Sequence, residues 1–371
     1  MLITRRDFTG LAASALWGGA TDGGFDQRQY SLVGGQAWRD GGAVMAVSYA
    51  GNSRVAAGQR SFTRTMNPQT DLYPDLERVN GFVSVHQRTG QGLRLGVDGL
   101  YSHSQRDSRL AFGSGPMTAS GSRNRPSTSA YLVAPNLELD LANDWTLSAY
   151  ATLGRDRTNG HTDSYAVGTV TSTVTNCYCS RALAWRPVSR VRSCACPAAR
   201  SRLAAGIGYR ASRSLFAQFT NGVAGPTYAE EDSVGYAFGE LEAPLARRLT
   251  ATAALRYEDY NSFGSVTTPK LGLIFSATPQ LRFSAPREGK SFKAPQFYQR
   301  YQRVQVLLLP ATGYGTTFPP DAAYIFRTGG NPDLAPEKPT ARPCRPNIVL
   351  LRRWRLSCRP ATTAFALSIG W

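Results

Sequence analysis

The sequence predicts an all-β protein, an antiparallel transmembrane β-barrel, and three observations carry that expectation. Apolar and polar residues trade places with a period of two along most of the chain. The alternating segments are joined by connectors that are short at one rim and mostly long at the other. No apolar run is long enough for a transmembrane helix, whereas a barrel strand needs only about ten residues with every second one apolar. At 371 residues there is room for two ordinary domains or one large β-structure. The 36 Gly, 17 Tyr and 16 Phe suit strands, turns and aromatic girdles better than a helical bundle.

The first residues carry two readings. TRRDF at residues 4–8, ahead of a short apolar stretch, has the look of a twin-arginine export signal. The apolar stretch is brief, and a loop and a strand follow directly, so a strand over 11–17 is the expectation. Residues 28–38 and 43–53 then form a hairpin about Asp40, Gly41 and Gly42, with Met45, Val47 and Tyr49 sharing a face. Residues 54–77 read as a long polar loop. Residues 78–88 and 93–102 pair across Thr89, Gly90, Gln91 and Gly92. There Leu93, Leu95, Val97 and Tyr101 face one way, and Arg94 and Asp98 the other. A second long loop, 103–128, precedes strands 131–141 and 145–154, which are joined by Ala142, Asn143 and Asp144. Pro135 weakens the first of that pair.

A strand over 165–174 is expected next, and then the pattern lapses. It returns at 202–210 and 234–242. Leu249, Ala251, Ala253, Leu255 and Tyr257 alternate with Thr250, Thr252, Ala254, Arg256 and Glu258. Strands over 270–276 and 281–292, joined by turn residues 277–280, bring the count to about thirteen. The connector 261–264 is short where a long one is due. A soluble sandwich has no reason to collect its short turns at one end. Charges such as Arg94, Asp98, Arg256 and Glu258 also suit a wet lumen better than a packed core.

Near the C-terminal end the pattern becomes specific. GKSFKAP at residues 289–295 and GNPDLAPE at 330–337 bracket a long insertion, with TTPKLGL at 267–273 upstream. The pair resembles the signature of TonB-dependent outer-membrane receptors, and LITR at 2–5 resembles the end of that family's plug domain. The likeness runs over roughly residues 1–339. It implies a 22-stranded barrel, of which about thirteen strands are recognisable, in outer-membrane lipid. It also implies a plug, contact with the TonB system and import of a small-molecule nutrient such as a ferric siderophore, cobalamin or a glycan. By this analogy Lys290, Phe292, Pro295, Asn331, Pro332 and Glu337 flank one extracellular loop. The residues themselves also support a purely structural role: Pro295 ends a strand, and Asn331 with Pro332 starts a turn. No box for TonB contact is recognisable, so the chain is expected to be a receptor fragment that does not transport alone. The expected division is residues 1–10 as the end of the plug and 11–339 as partial barrel.

The net charge of +17 is uneven. Residues 164–229 hold no acid and eight Arg, and 338–371 hold no acid, six Arg and one Lys, which leaves only +2 elsewhere. All six cysteines (Cys177, Cys179, Cys194, Cys196, Cys344 and Cys358) lie in these windows. One reading is a pair of basic inserts that bind metal or nucleic acid. The other, which we expect, is out-of-frame translation of residues 177–200 and 340–371, because misread GC-rich codons yield Arg, Pro, Ala and Cys.

Catalytic chemistry is not signalled. His86, His103 and His161 show no metalloprotease spacing, and no nucleophile or phosphate-loop motif is present. The two Cys-x-Cys pairs offer a four-thiolate zinc site only at tighter spacing than usual. No enzyme activity, cofactor, metal or nucleic-acid partner is expected. A passive porin or autotransporter-type barrel shares the strand pattern without the late motif pair, and a basic exported nucleic-acid-binding protein is the other alternative. Asp71, Asp75, Glu77 and Asp107 fall in expected outer loops, where solvated charge is the default and ligand contact the sharper possibility.

Overall fold

The computed structural model describes residues 8–90, 92–113, 115–142, 144–196, 199–262, 264–278, 281–288, 305–310, 323–328, 330–331, 334, 347–350 and 354–356. Nearly all of these are β-strand, with two single-turn helices at Ala57–Gln59 and Ser61–Thr63. Among the described residues no helix is long and apolar enough to cross a membrane. The chain divides into two units, Met1–Arg247 and Arg248–Trp371.

The first unit holds β1 (Gly10–Gly19), β2 (Asp26–Trp38), β3 (Gly41–Asn52), the short β4 (Val55–Ala56) and β5 (Asp71–Tyr73), β6 (Asp75–Thr89) and β7 (Leu93–Ala111). It continues with β8 (Ser120–Asn124), β9 (Ser127–Asp140), β10 (Trp145–Ala166), β11 (Thr169–Cys196), β12 (Ala199–Thr220) and β13 (Val223–Ala246). All pairs are antiparallel, and β4 and β5 form a small ladder of their own. β8 and β9 keep one register against β7 on one side and β10 on the other. They are one strand interrupted at Arg125 and Pro126, where proline has no N–H to give to the ladder.

The second unit holds β14 (Leu249–Tyr260), β15 (Gly264–Ser276), β16 (Leu281–Glu288), β17 (Gln305–Pro310), β18 (Ala323–Thr328), β19 (Asn347–Leu350) and β20 (Trp354–Leu356). β14 to β16 form an antiparallel meander, β19 pairs with β16 and with β20, and β17 pairs with β18.

Register turns the sequence alternation into two faces. Tyr30 lies opposite Tyr49, Leu32 opposite Val47, and Tyr49 opposite Val79. Gly81 lies opposite Tyr101, Tyr101 opposite Tyr131, Leu153 opposite Leu183, and Trp185 opposite Tyr209. These residues share the apolar face, and many are open: Met45 is 59% exposed, Leu153 50% and Ile207 54%. The buried apolar side chains Val44, Val188, Phe216 and Val234 lie on the other, mostly polar face. A water-soluble protein does the reverse. In the second unit Leu255, Leu271 and Leu273 are likewise exposed on one face of β14 and β15.

Two expectations are corrected. The strand placed at 165–174 is a hairpin tip: Val167 and Gly168 both have positive φ and join β10 to β11. The long-connector rim is also less loop-rich than expected. Asn221 and Gly222 form a second two-residue turn, and β7 runs on to Ala111 through what read as loop. The cause is strand length. β10 to β13 run for 22, 28, 22 and 24 residues, where about 9–11 suffice to cross hydrocarbon. The Cys-bearing window lies within β11, paired on both sides. Cys177 and Cys179 are joined to each other, and Cys194 and Cys196 sit at the far end of the same strand. Fifteen residues of extended chain set the two Cys-x-Cys pairs roughly 50 Å apart along β11.

Candidate functional site

The polar face of the first unit is built by side chains that the two-residue period turns away from the apolar one. Near the rim of short turns, Arg94 on β7 faces Glu138 on β9, Nε to Oε2 3.1 Å, and reaches Asp140 with Nη2 at 2.9 Å. Tyr150 on β10 donates its hydroxyl to Glu138 Oε1 at 3.1 Å. Arg186 on β11, opposite Tyr150, places its guanidinium 5.4 Å from the ring centre. Charged and hydroxyl-bearing side chains thus run across four strands where an apolar core would exclude them. Arg94 and Glu138 are about one-third exposed, so water reaches them.

Midway along the strands the register aligns Ser48, Asn80 and Ser102. Asn80 donates Nδ2 to Ser48 Oγ at 3.1 Å and accepts from Ser102 Oγ at 2.9 Å. Toward the other rim, Tyr178, Phe216 and Tyr228 lie opposite one another on β11, β12 and β13, with ring centres 4.7 and 6.1 Å apart. The face therefore passes from charge, through hydroxyl and amide, to aromatic rings.

The long-connector rim carries a second charged network, on the side of the sheet continuous with the apolar face. Arg123 on β8 grips Asp107 on β7 through Nε at 2.9 Å and through Nη2. Arg125 pairs with Asp163 on β10, which also receives Thr173 Oγ1 at 2.8 Å and lies 3.1 Å from His161 Nε2. Burial works to raise the Asp163 carboxyl, but the hydrogen bond from Thr173, the charge of His161 and the bond from Arg125 outweigh it, so its pKa sits below the ordinary value. The Arg123 hydrogen bonds hold Asp107 low against the opposing effect of burial. Asp71, with its side chain 2% exposed, goes the other way. Burial raises it, and the Arg109 backbone N–H at 2.7 Å and the Arg54 charge offset that only in part.

A recess of about 670 Å³ opens beside this network, lined by residues that include Arg28, Tyr49, Glu77, Gln105, Asp107 and Arg125. Arg28, Tyr49, Glu77, Gln105 and Asp107 share strand parity with Tyr30, Val79 and Tyr101, so they belong to the apolar-face side. The recess is off the polar face.

Of the residues singled out in the late motifs, Asn331 is described: it is exposed, and its carbonyl accepts the Leu334 N–H at 3.1 Å. Lys290, Phe292, Pro295, Pro332 and Glu337 lie outside the described residues. Asp71 and Asp107, expected as solvated loop acids, are instead tied to Arg109 and Arg123. Their partners Arg123, Arg125, His161 and Asp163 carried no spacing signal, because the register that joins them spans separate hairpins. Among the described residues no three His, Cys, Asp or Glu side chains gather as a metal site.

A long antiparallel sheet with its large apolar side chains outward and a hydrated, charged face opposite defines a transmembrane β-barrel protein. The family described as "TonB dependent receptor-like, beta-barrel" matches residues 4–338, and the chain belongs to it. None of the curated proteins compared matches. Among solved structures, a ferric enterobactin receptor (PfeA) mutant from Pseudomonas aeruginosa in complex with enterobactin aligns with a TM-score of 0.62 at 12% identity, over 93% of this chain and 51% of that one. The siderophore receptor PirA from Acinetobacter baumannii gives 0.59 at 13%, over 93% and 50%. The RagAB peptide importer in its closed-closed state gives 0.58 at 12%, over 84% and 41%. The chain thus spans about half the length of the structures it matches.

Proposed function

We propose that this chain forms wall strands of an outer-membrane receptor that imports a small nutrient with energy supplied through TonB. The observation that carries the reading is the pairing of faces. Exposed Leu, Val, Met and Ile turn one way, and the Arg94–Glu138–Tyr150 ladder turns the other. Family membership across residues 4–338 supports it. Neighbours titled as siderophore receptors and as a peptide importer support nutrient uptake in general, and a ferric siderophore, cobalamin or a glycan is the cargo class we favour. On the polar face, Phe216 and Tyr228 offer flat rings for a cargo with planar groups.

In this reading residues 1–10 end the plug and 11–339 are barrel. Residues 177–200 and 340–371 are read out of frame, and the late-motif residues Lys290, Phe292, Pro295, Asn331, Pro332 and Glu337 brace a loop rather than touch cargo. Transport needs the plug and further strands, so this chain alone does not import. The test is expression of the full chain with an export leader in a Gram-negative host, followed by membrane fractionation and uptake assays. Recovery in the outer-membrane fraction without uptake is expected. Recovery as a soluble periplasmic monomer defeats the membrane reading, and energy-dependent uptake defeats the claim that other segments are required. Resequencing the gene tests the out-of-frame assignment.

A further inference from the structure

On the apolar face, the row just beyond Leu153 and Leu183 is cationic. Arg155 on β10 stands directly opposite Arg181 on β11, and Arg181 opposite Arg213 on β12. Directly opposed residues on one face have Cβ atoms about 5 Å apart, and like charges so placed repel. Among the described residues none of the three makes an ion pair or side-chain hydrogen bond. Only Glu231, opposite Arg213 on β13, brings a negative charge into the row. Three adjacent strands therefore hold an unfavourable arrangement that an added anion would relieve.

The position of the row says which anion. The arginines border a recess of about 460 Å³ whose other walls include Tyr131, Leu153, Leu183 and Ala211. Below the row on the same face, Leu147, Ala149, Ala151 and Leu153 of β10 continue toward the short-turn rim. Tyr131, opposite Arg155, supplies at the row itself the kind of aromatic side chain found where hydrocarbon meets headgroups, and Trp185 and Tyr209 lie four residues nearer the short-turn rim. The site is thus apolar on its membrane side and cationic at the level of lipid headgroups. Planar guanidinium forks match phosphate oxygens in pairs.

We propose that Arg155, Arg181 and Arg213 form an outward-facing site for the phosphate groups of an anionic lipid in the leaflet nearest the long-connector rim. The lipid's acyl chain lies over Leu153, Leu183 and Ala211. The inference rests on the membrane reading above and is separate from cargo import, because the row lies on the opposite side of the sheet from the Arg94 ladder. Of the arginines of β11 and β12, Arg181 and Arg213 share the apolar face with Arg155, whereas Arg186 and Arg210 turn to the other face.

The test uses the purified full chain in neutral detergent micelles, with binding read by native mass spectrometry and by thermal midpoint. The probes are a bis-phosphorylated glycolipid, the same glycolipid without phosphates, phosphatidylcholine, and inorganic phosphate. Insertion of the chain into neutral micelles checks the membrane reading by itself. The phosphorylated lipid should bind and raise the midpoint, and the dephosphorylated lipid and phosphatidylcholine should do neither. The triple variant R155Q/R181Q/R213Q should lose roughly a hundredfold in affinity for it, at about one headgroup attraction per arginine. That variant removes repulsion, so it should fold in neutral micelles at least as well as the parent. R186Q, on the polar face, is the control and should bind like the parent. Equal affinity of triple variant and parent overturns the site, as does equal binding of the dephosphorylated lipid. If inorganic phosphate competes as well as the whole lipid does, the assignment to a membrane lipid is wrong.

Discussion

Arg94 and Glu138 stand directly opposite each other on β7 and β9, Nε to Oε2 3.1 Å, while their chain neighbours Leu95 and Leu137 stand opposite each other on the reverse face. A single step along either strand therefore goes from an ion pair to an apolar pair. A sheet sustains this only if its two faces meet different solvents.

Charge should be cheap on one face and costly on the other. Val97→Arg puts a cation in the middle of the apolar face of β7, where a lipid-facing charge costs about 2–4 kcal/mol. Asp98→Arg, one residue on, faces the wet side and should cost less than about 1 kcal/mol. Glu138→Ala removes a partly exposed ion pair and should likewise cost about 1 kcal/mol or less, with the loss shrinking as salt is added. Denaturant unfolding from micelles at low and high salt measures all three. Equal costs at residues 97 and 98 would remove the distinction between the faces.

The long-connector rim should loosen in acid. Asp107 and Asp163 both have lowered pKa values in the fold. Their contribution is complete above the ordinary Asp value of about 3.9 and is lost as pH falls through their lower folded values. Asp71, whose pKa is raised, acts in the opposite sense and gains as pH falls through its folded value. Hydrogen exchange at Arg109, Arg123 and Arg125 should accelerate below about pH 4 relative to the strand centres, after correction for intrinsic rates. The double variant D107N/D163N should show this loosening already at neutral pH and little further change in acid. A parent rim that stays equally protected down to pH 2 contradicts the assignment.

The β10–β11 hairpin carries a correctable strain. Val167 is held at φ 50° ahead of Gly168 at φ 81°, a conformation that suits Asn-Gly and disfavours a β-branched side chain. Val167 is 91% exposed, so no packing is lost by replacing it. Val167→Asn should stabilise the chain by about 1 kcal/mol. Asn221→Val, at the equivalent site before Gly222 on the β12–β13 turn, should destabilise it by a similar amount. Thermal midpoints that move in the same direction for the two variants would refute the turn assignment.

Gly208 marks a close approach that a larger residue should disturb. A Cβ there would fall 2.9 Å from the Trp185 carbonyl oxygen and would strike the Tyr236 ring on the neighbouring strand. Tyr236 lies opposite Gly208 on β13, so the ring fills the space the glycine leaves. Gly208→Val should cost about 1–3 kcal/mol by overpacking, and Gly208→Val with Tyr236→Ala should recover part of it. Gly235→Ala, with nothing within 4 Å of its added carbon, is the control and should be close to neutral. A double variant no better than the single one would show that the ring is not the obstacle.

Most of the fold is legible where alternation is strict. Leu93 to Tyr101 and Leu249 to Tyr257 read as strands because nearly every second residue is apolar, and β7 and β14 contain them. Reading fails beyond the apolar band. There both faces of a strand are wet, so Gln105, Arg106 and Asp107 look like loop although they continue β7. It fails again at Val167, where a turn lacks turn chemistry, while the matching Asn221-Gly222 signal lay in a stretch without periodicity on either side. The rim network was illegible for a different reason. Asp107 meets Arg123, and Asp163 meets Arg125, only through registers set by the whole β7–β10 meander. The Arg155–Arg181–Arg213 row is hidden in the same way, since the three arginines are 26 and 32 residues apart in sequence and align only through two registers. The charge of the window was visible, but its division between two faces was not.

Spin labels placed one at a time at residues 94–101 of β7, in a background with the native cysteines replaced and the chain in lipid bilayers, report which solvent each side of the sheet meets. Relaxation by dissolved oxygen and by a water-soluble nickel complex should alternate with a period of two. Labels at 95, 97, 99 and 101 should favour oxygen, and those at 94, 96, 98 and 100 should favour nickel. Uniform exposure of all eight positions to nickel would contradict a membrane-spanning sheet, as would a period near 3.6.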